Sequence, residues 1–376
     1  MIKYLGSKRV LVPVLGAMAT AIGARSAVDL FSGTTRVAQE FKRRGLWTTA
    51  SDRATYTGVL AECYIATEAR QIDRARLTEI LRDLQSTTPV RGYVTRTFCE
   101  QARYFQPKNG MRIDAIRQRI EDEYVGTAWY PILLTSLLEA ADRVDSTTGI
   151  QMAYLKSWAP RSRRDLSLRT PDLLDGPGAV VVGDVMQTVD TLPEADLYYV
   201  DPPYNQHRYF ANYHVWETLV RWDEPEHYGV ACKRVDVRED DHRSVFNSKR
   251  TMPAALADVL ARIRSEVVIV SYSDEAWITP EQMEGSLREA GHESVAVLGF
   301  DSKRYVGASI GIHSPTGEKV GRISHLRNTE HLFIAGPAAK VEAASAAVAT
   351  ASPPASPSAA SSRTLSRPLP APRQER

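Results

Sequence analysis

Asp196-Leu197-Tyr198-Tyr199-Val200-Asp201-Pro202-Pro203-Tyr204 is an apolar, strand-like run that stops abruptly in a carboxylate, two prolines and an aromatic ring. Two successive prolines have no N–H and a fixed φ, so the strand cannot continue and the neighbouring carbonyls stay free of ladder bonds. In an open α/β sheet the carboxyl end of a strand is also where ligands bind. The stretch therefore reads as a central strand that presents polar groups at a binding edge.

Working outward, Ala27 to Phe31 is a short strand followed by Ser32-Gly33-Thr34-Thr35 and by a helical pattern at Val37, Ala38 and Phe41, closed by Gly45. Leu46 to Ala50 forms the next strand and ends in Ser51-Asp52. This βαβ unit has the geometry of nucleotide-type cofactor sites, where a glycine lets the backbone approach the ligand and a carboxylate takes ribose hydroxyls. The turn lacks the full G-x-G-x-x-G spacing, and a tight connection explains it equally. Asp52 likewise suits either a ribose or the start of the helix near Thr55.

From Tyr56 to Val144 the apolar spacing is helical throughout, and the third strand waits until Ala179-Val180-Val181-Val182. That gap is too long for one crossover helix, so residues 56–178 are expected to form a helical insert over the sheet edge. Its last part carries Lys156, Trp158, Arg161, Arg163 and Arg164, which suits either phosphate contact or a solvated basic loop. After Tyr204 comes Asn205-Gln206-His207-Arg208-Tyr209-Phe210-Ala211-Asn212-Tyr213-His214, rich in side chains that stack on bases and bond their edges. A mixed loop packing its rings on the domain is the plain alternative.

Strands at Val267 to Val270, Ser294 to Gly299 and His331 to Ala335 bring the total to seven in an α/β arrangement. Asp223 to Arg250, with charges of both signs and no apolar period, reads as a mobile loop. Residues 337–376 turn to Ala, Ser and Pro and read as a disordered tail.

Composition bounds the partners. With 47 Lys and Arg against 45 Asp and Glu, the chain is near neutral, so any nucleic-acid surface must be local. Cys63, Cys99 and Cys232 have no paired spacing, and His207 and His214 have no third ligand, so neither disulfides nor a metal are expected and a cytoplasmic setting fits. Neither a signal peptide nor a membrane-spanning segment is expected.

Three motifs in this order, Lys3-Tyr4-Leu5-Gly6-Ser7-Lys8, Asp29-Leu30-Phe31-Ser32-Gly33 and Asp201-Pro202-Pro203-Tyr204, resemble those of the Dam-like family of DNA N6-adenine methyltransferases over residues 1 to 336. The resemblance implies a Rossmann-like seven-stranded methyltransferase sheet, with residues 1–55 and 179–336 as catalytic domain and 56–178 as target-recognition insert. It implies S-adenosylmethionine as cofactor and an adenine flipped out of double-stranded DNA as substrate. Tyr4, Lys8, Phe31 and Gly33 would touch the cofactor, Asp52 its ribose and Asp184 its adenine. Asp201, Pro202, Pro203 and Tyr204 would be catalytic, with Asp201 also facing the cofactor. Lys156, Arg161, Arg163, Arg164, Asn205, His207, Arg208 and Tyr209 would meet DNA. The family also allows a restriction–modification setting, with a cognate restriction endonuclease encoded nearby. Methylation of structured RNA and a non-catalytic DNA-binding protein on the same fold are the alternatives. One departure is visible: Phe-Ser-Gly-Thr-Thr lacks the second glycine of many relatives, so Thr34 or Thr35 must tolerate that backbone.

Overall fold

A computed structural model describes residues 2–4, 6, 8–155, 157–203, 209–239, 244–274, 276–303 and 327–350. The chain opens with helix α1 (Val12–Ala21), entered at Pro13, and the first βαβ unit follows: β1 (Ser26–Leu30), α2 (Arg36–Arg43) and β2 (Trp47–Asp52). Strands β3 (Gly178–Val182) and β4 (Ala195–Val200) come after the insert, joined through the short helix α7 (Val185–Thr188). A two-stranded hairpin, β5 (His227–Tyr228) with β6 (Lys233–Arg234), lies outside the main sheet. Strands β7 (Ser265–Ser273), β8 (Ser294–Lys303) and β9 (Arg327–Gly336) complete it.

The seven strands lie in the order β3-β2-β1-β4-β7-β9-β8. The pairs from β3 through β7 are parallel, and β9 runs antiparallel to both neighbours. The expected Rossmann-like seven-stranded sheet is the fold of this protein. Strand order reverses between β1 and β4, which is where such sheets open a crevice at their carboxyl ends. Strand β4 is the fourth in both senses: its Leu197, Tyr198, Tyr199 and Val200 are buried on both faces, as a central parallel strand must be.

The insert is mainly helical up to Val144, as its spacing predicts; its described residues from 145 to 177 carry only the 3-10 turn Pro160–Arg163 and are otherwise irregular, so the helical insert expected over 56–178 is shorter than that range. Helix α3 (Thr55–Ala61) runs into a π-helical turn, Glu62–Ala66. Helix α4 (Arg74–Gln85), a second π segment at Thr95–Gln101, α5 (Pro107–Tyr124) and α6 (Tyr130–Val144) follow. Buried polar side chains secure the irregular turns. The Lys42 ammonium of α2 donates to the carbonyls of Ile65 and Thr67, both at 2.7 Å, beside the π turn. The Asp114 carboxylate of α5 accepts the N–H groups of Gly92, Val94 and Thr95, which open the second π segment. One contiguous apolar core joins Phe98, Ile116 and Leu137 of the insert to Ala38, Ala50, Tyr213 and Trp216 around the sheet.

Two expectations are corrected. Residues 337–376 are not uniformly tail: after α10 (Met252–Arg262) and α11 (Pro280–Glu289), Ala338–Thr350 forms helix α12, which packs on α1 with Val341 and Ala344 buried. Alanine is the strongest helix former, and its small side chain permits close approach, so a run that reads as low in apolar area still docks. Residues 351–376 lie outside the described residues. The charged stretch from Asp223 is also ordered where it is described. Arg234 is buried at 2% exposure and bridges Asp223 and Asp236 at 2.6 and 2.7 Å, so opposite charges pair locally instead of facing water.

Candidate active site

Strand β1 ends at Leu30, and the next residue turns sharply. Phe31 takes φ of 67° and Gly33 of 50°, while Thr35 takes 61° just before α2. Thr35 therefore carries the left-handed backbone where a second glycine was expected, a costly conformation for a β-branched residue. It is held by its N–H to the Ser32 carbonyl at 2.7 Å and by Gln39, which donates to Oγ1 at 2.9 Å. Beneath the turn the buried Asp29 carboxylate accepts the Ala38 N–H at 2.9 Å, which anchors the start of α2; burial pushes this carboxyl up.

Asp52 ties the turn to the tip of β2. Its Oδ2 accepts the Gly33 N–H at 2.8 Å, and its Oδ1 accepts Ala54 N–H and Thr57 Oγ1 at 3.1 and 3.0 Å. Asp52 does not cap α3, whose N-cap is Ala54 with no side-chain cap bond; it braces the segment that leads into the helix, and the same carboxylate lines a cavity of about 230 Å³. That cavity lies along the carboxyl ends of β1, β2, β3 and β4 and brings together Tyr4, Lys8, Phe31, Asp52, Asp184, Asp201, Pro202, Pro203 and Tyr209. Gly33 does not itself line the cavity but stands against Tyr4, which does: a Cβ there would meet the Tyr4 ring at 2.9 Å. Tyr4 in turn stacks on Tyr213 and Tyr209, with ring centroids 4.9 and 5.5 Å apart.

At the end of β4, Asp201 Oδ1 pairs with Lys8 Nζ at 3.1 Å. The same ammonium pairs with Glu330 Oε1 of β9 at 2.5 Å. Burial pushes the Asp201 carboxyl up to about 6, against the pull of Lys8 and with a push from Glu330. Asp184 caps α7 by accepting the Met186 N–H at 3.0 Å and pairs with Arg53 at 3.1 Å.

Tyr209, expected at DNA, begins the short helix α8 (Tyr209–Asn212), lines the cleft and packs on Tyr4. Arg161 is committed to the protein: it pairs with the buried Asp145 at 2.6 Å and donates to the Thr147 carbonyl. Arg163 and Arg164 are exposed. Tyr204, Lys156, Asn205, His207 and Arg208 lie outside the described residues.

Several lining residues escaped the sequence reading. Glu217 and Arg221, on helix α9 (His214–Arg221), pair one turn apart at 3.1 Å. Phe246 meets Phe31 edge-on with ring centroids 5.1 Å apart. Arg53 follows Asp52 directly, and the i, i+4 spacing of Glu217 and Arg221 was legible; nothing local marked Phe246 within a charged segment. Among the described residues no group of three His, Cys, Asp or Glu could hold a metal, and no helix is long and apolar enough to cross a membrane.

Comparison with known proteins agrees with this layout. Residues 4–284 match the family model described as D12 class N6 adenine-specific DNA methyltransferase. The chain is 30% identical over 297 residues to Type II methyltransferase M.NlaIII of Neisseria lactamica, covering 74% of this chain and 86% of that protein. It is 29% identical over 306 residues to modification methylase StsI of Streptococcus sanguinis and 28% identical over 283 residues to Type II methyltransferase M.FokI of Planomicrobium okeanokoites. Those matches cover 76% and 70% of this chain but only 46% and 43% of the two proteins, so the chain spans under half of their length.

Proposed function

The chain belongs to the D12 class N6 adenine-specific DNA methyltransferase family, and from that premise we propose that the end of β4 orients the amino group of an adenine turned out of duplex DNA. The observation that carries this reading is the meeting of Asp201, Pro202 and Pro203 with Phe31, Asp52 and Asp184 in one cleft. An adenine amino nitrogen is a poor nucleophile because its lone pair is delocalised into the ring. Asp201 and the Pro202 carbonyl, released from ladder bonding by the prolines, would each accept one of its N–H bonds. That localises the lone pair and stabilises positive charge developing on nitrogen. The motif aromatic, Tyr204, would stack on the extruded base and offset part of an unstacking cost of a few kcal/mol.

The donor set of the cleft fits S-adenosylmethionine. Leu30 and Phe31 offer an apolar wall, Asp52 a carboxylate at the tip of β2 for ribose hydroxyls, and Asp184 a further acceptor, while the carboxylates suit a cationic sulfonium. When bound, this cofactor supplies an electrophilic methyl group. Lys8 and Tyr4 close the same cleft from the N-terminal side, where Tyr4 stacks on Tyr213 and Tyr209. Holding both reactants in line against these walls would contribute much of the acceleration.

The exposed Arg163 and Arg164 and the segment from Asn205 to Arg208 would contact DNA, with the helical insert reading the target. A place in a restriction–modification system, beside a cognate endonuclease, is consistent with relatives named as Type II methyltransferases. Incubation with labelled S-adenosylmethionine and adenine-containing duplex DNA, followed by nucleoside digestion, tests the function. Label in N6-methyladenine is expected; label in RNA or protein alone, with none in DNA, overturns it.

A further inference from the structure

Glu330 lies beyond the residues that match the family model, on strand β9, yet its side chain ends in the catalytic cleft's charge network. It is 7% exposed and stands in register with Ser273 of β7 and Phe300 of β8. Its Oε1 accepts from the buried Ser271 hydroxyl at 2.7 Å and from Lys8 Nζ at 2.5 Å. Lys8 is thus shared between two carboxylates and sits nearer to Glu330 than to Asp201, at 2.5 against 3.1 Å. All three side chains are at most 21% exposed, so water screens the network poorly.

We propose that Glu330 is a positioning residue for methyl transfer: it holds the Lys8 ammonium off Asp201, so that the Asp201 carboxylate keeps its strength as acceptor for the adenine amino group. The inference rests on the acceptor role of Asp201 proposed above. The physical argument is one of competition. A lone ammonium beside a lone carboxylate in a poorly hydrated site would close to a tight pair and draw the negative charge away from the substrate side. A second carboxylate, itself fixed by Ser271, shares that ammonium and leaves the network with one net negative charge. Among the described residues, four titratable groups face Asp201: Lys8 from the N-terminal segment, Glu330 from β9, Asp29 from β1 and Tyr199 from β4. Of these, Glu330 alone both repels charge on Asp201 and competes for its cation.

The test compares wild type, Glu330→Gln and Ser271→Ala across pH 5 to 9. Methyl transfer to duplex DNA is read alongside a carboxyl-carbon NMR titration of Asp201, assigned through Asp201→Asn. In Glu330→Gln, kcat at neutral pH should fall about tenfold, with KM for DNA and cofactor within about threefold. The acid limb of kcat and the Asp201 titration should move down by about one pH unit, because a repelling carboxylate is gone and Lys8 is released toward Asp201. Ser271→Ala should shift both in the same direction by less. An Asp201 titration and acid limb unchanged in both variants overturn the proposal, as does a loss of kcat and rise of KM with no pH shift, which marks a merely structural role. If Glu330→Gln does not fold, the Ser271→Ala titration decides by the same criterion. Failure of the wild type to methylate DNA refutes the function instead, and the NMR titration still reports on Glu330.

Discussion

At the scale of single residues, the proposed reaction turns on Asp201. Asn in its place keeps the shape but halves the acceptor capacity and removes the charge, so Asp201→Asn should lower kcat by about 100-fold or more while cofactor affinity changes little. Equilibrium binding of S-adenosylmethionine measured beside turnover separates the two effects. The sign of the pH dependence follows from burial. The carboxyl sits at about 6, the ionised form is the acceptor, and wild-type kcat should fall as pH drops through that value. Gly33 is the second decisive position. Its φ of 50° costs an alanine about 1–2 kcal/mol, and an added Cβ would push the Tyr4 ring at 2.9 Å. Gly33→Ala should therefore weaken cofactor binding about tenfold or more, measured by calorimetric titration, with the far-ultraviolet circular dichroism unchanged. Both positions were legible in the sequence, one from its prolines and one from its place after a strand. Glu330 and Phe246 were not, because nothing in their own neighbourhoods differs from an ordinary strand or loop. Thr35 shows the limit from the other side: the missing glycine was visible, but which threonine accepts the strained backbone depended on Gln39 and Ser32 being there to hold it.

At the scale of elements, the helix after the catalytic motif is the joint between the sheet and the insert. Helix α9 presents Glu217 and Arg221 to the cleft, and its last carbonyls are capped from the insert. Arg117 of α5, fully buried, donates to Leu219 O at 2.6 Å and Val220 O at 3.0 Å and lies over the Trp222 ring at 5.1 Å. Removal of a buried cation from such a cap leaves carbonyls unsatisfied, so Arg117→Met should cost about 2–4 kcal/mol of stability. Urea unfolding with an unchanged m-value would register it; a midpoint equal to wild type would refute the assignment. Helical spacing announced α5 and α9 separately, but a buried arginine on an apolar face has no sequence mark that names its partner 102 residues away. The reverse holds for α12, where alanine-rich composition concealed a docked helix because the apolar surface that receives it belongs to α1.

At the scale of the whole molecule, the helical segment between β2 and β3 and the sheet share one core. The same apolar cluster contains Leu77, Phe98 and Leu137 of the insert and Ala50, Tyr213 and Trp216 near the sheet. The two parts are therefore expected to unfold together: calorimetry should give one transition with calorimetric and van't Hoff enthalpies that agree, and residues 56–178 expressed alone should show no cooperative melt. Two separated transitions would contradict the shared core. The α/β class, the seven strands, the helical insert and the Gly33 and Asp201 ends of β1 and β4 were determined by the sequence itself, because each is written in local physics: side-chain period, turn residues and proline geometry. The strand order, the sharing of Lys8 between Asp201 and Glu330, the Arg117 cap and the docking of α12 were decided only by tertiary structure, because each depends on which distant segments the sheet and core bring within a few ångströms.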